Sequence, residues 1–211
     1  RLAAAARGQC ALHFTLMSFS ISAAAPKRRV LADYFATTRA WNIALVVASM
    51  LVIAALAQVN YYIPGMPVPF TGQTLGVLLV AGAAGSMRGA IATAGYATLG
   101  IAGVPWLAGG VAGFPAYTFG YLLGFVAAAA LVGWLAERGA ARTPWGTLGA
   151  MFAGTLVIYA FGVPWLASAL GGNWPAAVAS GLTPFLLTDA LKALIAAALL
   201  PSALYLVRRG S

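Results

Sequence analysis

In PFLLTDALKALIAAALLP, residues 184–201, an acidic and a basic residue stand three apart: Asp189 and Lys192. On a helix this spacing sets the two side chains about 60° apart on one face, close enough to pair or to grip two ends of one polar group. The rest of the run is apolar, and a charge at mid-bilayer costs roughly 2.5–3.5 kcal/mol on insertion scales. The charged face must therefore point into protein or a cavity. Three chemistries fit: a salt bridge that only neutralises itself, a proton or ion relay, and a binding site for a neutral or anionic organic molecule. Against the first, an apolar replacement of both partners is usually no worse for stability; against the second, the membrane runs offer no second acidic residue to take the proton. For the third, Asp189 accepts and Lys192 donates. Partners for such a ligand are available in Gln73, a lone amide in PVPFTGQTLGVLL that can donate and accept, and in the hydroxyls of Tyr96, Tyr117 and Tyr121, with Thr188 and Asn173 as further polar groups.

Other chemistry finds little support. The single cysteine, Cys10, excludes an internal disulfide framework and a multi-cysteine metal site, and His13 is the one histidine. A plausible nucleophile and base with a third orienting group is not visible, and no GxxxxGK[ST] phosphate loop occurs. The sequence therefore predicts neither an enzyme nor a cofactor-binding protein. The net charge of +9 could suggest nucleic acid, but no basic face interleaved with exposed aromatics accompanies it.

The elements that must position these residues are membrane helices. Of the 211 residues 62% are hydrophobic and 7% charged, against roughly 25% charged in an ordinary soluble domain. Six apolar runs are legible, at about 41–60, 71–87, 89–104, 117–136, 145–165 and 182–206. The second and third are short and Gly-rich, tolerable in lipid only where their backbone is buried in protein or lines a cavity. Apart from Lys192, every Lys and Arg falls at the termini, at Arg88, or at Arg138 and Arg142, whereas the connections at 61–70, 105–116 and 166–181 carry none. The positive-inside tendency then places both ends in the cytoplasm and the uncharged loops outside. The expected fold is an all-α integral membrane bundle of six transmembrane helices. Its outer loops collect Gly, Pro and aromatic residues, among them Trp106, and read as a lid over a ligand. A flexible basic cytoplasmic tail is expected over 1–38, with a natural start at Met17, ahead of a membrane domain at 39–211. Ala40, Ala44 and Ala48 form a smooth stripe on the first span, of the kind that lets helices approach closely in lipid.

Five segments in order, PVPFTGQTLGVLLVAGAAG, GYATLGIAGVPWLAGG, TFGYLLGFVAAAALVGWLAERG, VIYAFGVPWL and PFLLTDALKALIAAALLP, resemble the BioY family, the biotin-specific substrate-binding (S) components of energy-coupling-factor (ECF) transporters. The resemblance covers roughly residues 41–207. It implies capture of biotin from outside the cell membrane in a pocket near the outer face, with inward release driven by a transmembrane coupling protein and ATPase subunits. Carried over, it gives Asp189, Lys192, Gln73, Tyr121 and Tyr96 as biotin-binding residues, Trp106 as cover for the ligand's apolar ring, and the Ala40, Ala44, Ala48 stripe as the docking face for the coupling protein. An ion-coupled permease for another small vitamin is the alternative.

Overall fold

The computed structural model describes residues 28–210. Seven helices follow one another: α1 Arg39–Gln58, α2 Gln73–Ala84, α3 Ser86–Ile101, α4 Phe119–Glu137, α5 Pro144–Ala169, α6 Trp174–Gly181 and α7 Phe185–Gly210. Six of them form the expected bundle, and α6 is a short addition in the last outer connection. Two strands of two residues, β1 Asn60–Tyr61 and β2 Phe70–Thr71, pair antiparallel in the first outer loop.

Each helix starts and stops for local reasons. Thr38 and Thr143 accept hydrogen bonds from Trp41 N and Gly146 N, capping α1 and α5, and Pro144 occupies the first helical turn, where its missing N–H costs nothing. α5 runs past the expected end at 165 with Pro164 inside it and stops only at Gly171 and Gly172, both in the left-handed region. Asn173 then accepts from Ala176 N and starts α6. The outer connection at 166–181 is therefore mostly helical rather than loop.

Four helical stretches are long and apolar enough to cross a membrane: Arg39–Gln58, Phe119–Glu137, Pro144–Ala169, and Trp174–Arg209, which joins α6 to α7. With 12 residues, α2 extends only about 18 Å, against a hydrocarbon core of roughly 30 Å. It lies inside the bundle, with eight of its residues buried, packed against α4, α1, α3 and α7. Its polar backbone ends thus meet protein rather than lipid. α2 and α3 are separated by Gly85 alone, at φ 88°, and α4 crosses this turn at Gly133. A Cβ on Gly133 would run into the backbone of Gly85 and Ser86.

One end of the bundle carries the charge. Arg88 donates to Asp33 Oδ1 at 2.7 Å and to Asn42 Oδ1 at 2.7 Å. Ser86 N donates to Glu137 Oε1 at 3.0 Å, and Arg28 N donates to the Glu137 carbonyl at 2.6 Å. Val30 is buried with Ala136, Ala141 and Leu204. This differs from the expected tail over 1–38: from Arg28 to Tyr34 the chain packs on the inner ends of the helices, because Val30 has apolar cover and Asp33 a cation there. The remainder of that tail, and Met17, lie outside the described residues. The opposite end, formed by the three connections without Lys or Arg, is the outer one.

Candidate functional site

Between the outer halves of α2, α4, α5 and α7 lies a cavity of about 220 Å³, well beyond the 10–15 Å³ that holds one water. Its closed end is polar. Phe185 opens α7 at the outer side; Asp189 and Lys192 follow about 6 and 10 Å further along the axis, and both line the cavity. Lys192 Nζ donates to Asp189 Oδ1 at 2.9 Å, and Tyr159 on α5 donates its hydroxyl hydrogen to Asp189 Oδ2 at 2.6 Å. Lys192 Nζ also donates to Thr74 Oγ1 at 3.3 Å. The side chains of Lys192 and Asp189 are 16% and 8% exposed, so the pair is held away from bulk solvent by its neighbours.

These bonds leave a definite remainder. A carboxylate offers about four acceptor positions, of which two on Asp189 are taken, and an ammonium has three hydrogens, of which two on Lys192 are taken. Among the described residues, about two acceptor positions on Asp189 and one donor on Lys192 are left without a partner, on two residues that both line the cavity. The side walls are apolar, made by Val68, Leu107, Leu122, Phe125, Ile158 and Phe185. Phe185 is braced from behind by Phe70, the rings stacked at 4.4 Å.

The outer loops roof the cavity and are pinned in place. Gln58 Nε2 donates to the Trp106 carbonyl at 3.0 Å, and Tyr62 donates its hydroxyl hydrogen to the Ala108 carbonyl at 3.0 Å. Trp165 Nε1 donates to the Ala116 carbonyl at 2.7 Å. The segment 102–118 is thus tied to α1, to the first outer loop and to α5. Tyr62, Tyr117 and Thr118 line the cavity at this rim, and Tyr62 and Tyr117 are about half exposed.

The residues expected from sequence divide into three groups. Asp189, Lys192, Gln73 and Tyr121 line the cavity together. Tyr121 presents its ring, since its hydroxyl donates to the Gly181 carbonyl at 2.8 Å. A Cβ on Gly162 or Gly181 would overlap Tyr121, so both positions must be glycine for the ring to lie where it does. Tyr96 and Trp106, in contrast, are not in the wall. Tyr96 is fully buried, its hydroxyl accepts from Gln73 Nε2 at 2.6 Å, and it donates to the Trp106 carbonyl at 3.2 Å. Trp106 Nε1 in turn donates to the Tyr96 carbonyl at 3.0 Å. Tyr96 thus holds Gln73 from behind, and Trp106 in turn holds Tyr96. Of the other polar candidates, Tyr117 lines the rim, Thr188 donates to the Phe185 carbonyl and Asn173 caps α6. Ala40, Ala44 and Ala48 are exposed on α1 with Ile43, Val47 and Leu51 beside them, away from the cavity. Sequence reasoning missed Tyr159 and Thr74. Thr74 follows Gln73 directly, but Tyr159 meets Asp189 across 30 residues and is marked only by being a hydroxyl on a membrane helix.

The sequence profile of the BioY family matches residues 26–209. The chain belongs to the BioY family. The match takes in all seven helices nearly to the end of α7 and the packed segment from Arg28. Similar curated proteins include the biotin transporter BioY of Rhizobium etli, 37% identical over 144 residues, which are 64% of this chain and 76% of that protein. The probable biotin transporter BioY of Lysinibacillus sphaericus is 33% identical over 81% of this chain and 90% of its own length. In fold, the chain resembles the crystal structure of the S-component for biotin from an ECF-type ABC transporter. The TM-score is 0.69 with 20% identity, covering 78% of this chain and 90% of the other. Membership and apolar spans together make the chain a multi-pass membrane transport protein rather than an enzyme.

Proposed function

We propose that this BioY chain takes up biotin across the cell membrane, as the substrate-binding component of an ECF-type transporter. The observation that carries the reading is the unused hydrogen-bonding capacity at the closed end of the cavity: two acceptor positions on Asp189 and one donor on Lys192. The cyclic urea of biotin has two N–H donors and one carbonyl acceptor, the complement of that set. Its thioether ring and aliphatic chain suit the walls of Leu122, Phe125, Ile158 and Phe185. In this arrangement Asp189 accepts from the ureido N–H groups, Lys192 donates to the ureido carbonyl, Tyr159 and Thr74 keep the two charges in place, and the Tyr121 ring and Gln73 complete the wall. Buried polar groups matched in this way reject analogues that leave one unpaired.

In this reading an ECF coupling protein with its ATPase subunits drives release inward. The exposed Ala40, Ala44 and Ala48 on α1 offer a smooth face to a helix of that partner in the membrane, and lipid covers the remaining apolar surface. An ion-coupled permease would need a carboxylate that exchanges protons with a second acceptor. Asp189 is the only carboxylate lining the cavity among the described residues.

Calorimetric titration of the purified full chain in detergent with biotin tests the reading. Saturable heat at nanomolar to micromolar ligand is expected, and its absence, with the protein folded and monodisperse, would refute it.

A further inference from the structure

Charge at the cavity is already balanced before any ligand arrives. Among the described residues its lining contains one anion, Asp189, and one cation, Lys192, 2.9 Å apart, and the outer connections contribute no Lys or Arg at all. Resting on the biotin reading above, we infer that the site does not recognise the ligand's carboxylate by charge: the acid end points to the rim, and molecules whose acid is neutralised are equally good ligands.

The argument is one of electrostatics and position. A carboxylate brought within reach of Lys192 would lie almost as close to Asp189, so attraction to one is offset by repulsion from the other. Deeper in the cavity the walls are Leu122, Phe125, Ile158 and Phe185, which return nothing for the lost hydration of an anion. The rim differs. Tyr117 is 46% exposed, and it and Thr118 line the opening with hydroxyl groups that have no assigned partner among the described residues. A hydroxyl donates to a carboxylate oxygen and equally accepts from an amide N–H, so Tyr117 and Thr118 serve the acid and the amide alike. Tyr62, the third rim hydroxyl, already donates to the Ala108 carbonyl. The specificity of the site is thereby confined to the ring end, where Asp189 and Lys192 stand.

Biotinamide is the informative probe, since it matches biotin in size and differs in charge. The experiment titrates the full chain in detergent with biotin and with biotinamide under one set of conditions. An amide affinity within tenfold of that of biotin is expected. A loss of more than tenfold would overturn the inference, showing that a positive charge or an oriented donor set does read the carboxylate. Failure of biotin itself to bind is a separate result, and it would overturn the reading of the site on which this one rests.

Discussion

The pair Asp189 and Lys192 allows a decisive separation of structural from functional roles through Asp189→Leu, Lys192→Met and the double variant. Removing one partner leaves the other buried without a counter-charge, which costs about 3–5 kcal/mol of stability in comparable buried pairs. The low side-chain exposures of 8% and 16% put this pair in that class. Replacing both removes the unpaired charge, so the double variant should recover to within about 1 kcal/mol of the parent. Binding should behave otherwise. Three hydrogen bonds to charged groups are lost on the biotin reading, each worth about 1.5–3 kcal/mol. Their loss comes to about 4.5–9 kcal/mol, or at least a thousandfold in affinity. Thermal unfolding followed by size-exclusion in detergent reports stability, and calorimetry with biotin reports affinity. A stable double variant that does not bind is the expected result. A double variant binding biotin within tenfold of the parent would refute the assignment of these residues to the ligand, and one as unstable as the single variants would refute the assignment of the single-variant cost to an unpaired charge.

Tyr159→Phe removes one hydrogen bond to the buried Asp189 carboxylate while keeping the ring, and should lower stability by about 1.5–3 kcal/mol and weaken biotin binding by about 10- to 100-fold as measured by calorimetry; parental affinity would show that Tyr159 does not hold Asp189 for the ligand. Ala44→Trp places bulk on the exposed face of α1, so biotin affinity measured by calorimetry should persist while uptake into cells carrying the partner subunits falls; unchanged uptake would move the docking face elsewhere. Gly133→Val should prevent folding altogether, read as loss of monodisperse protein, because its side chain would enter the backbone of the α2–α3 turn; a folded variant would contradict that crossing.

Much of the fold was legible along the chain because lipid imposes a strict local rule: apolar runs of sufficient length become helices, and charge is sorted to one side. That rule predicts the six spans and their orientation. It does not see α6, since a helix of eight residues in an outer connection has no membrane length to announce it, nor the packing of Val30, whose cover comes from Ala136, Ala141 and Leu204. Part of the cavity lining was legible to the same depth. Asp189 and Lys192 lie one turn apart on the same helix, so their joint facing follows from helical geometry alone. Tyr96 and Trp106, expected as ligand contacts, lie outside the cavity lining, Tyr96 bonded to Gln73 and Trp106 to Tyr96, because which residues front a cavity depends on how helices are layered.

By itself, then, the sequence determined the solvent of this protein, the number of its bundle helices, the ends to which its charge is sorted, and the one face on which opposite charges meet; each depends on composition and short-range periodicity. Tertiary structure decided which hydroxyl completes the carboxylate, which tyrosine shows its ring and which lies buried, and where the roof is pinned. Those outcomes depend on the rotation and close approach of helices, set at contacts such as Gly133 against Gly85 and Gly162 against Tyr121, between residues distant in the chain.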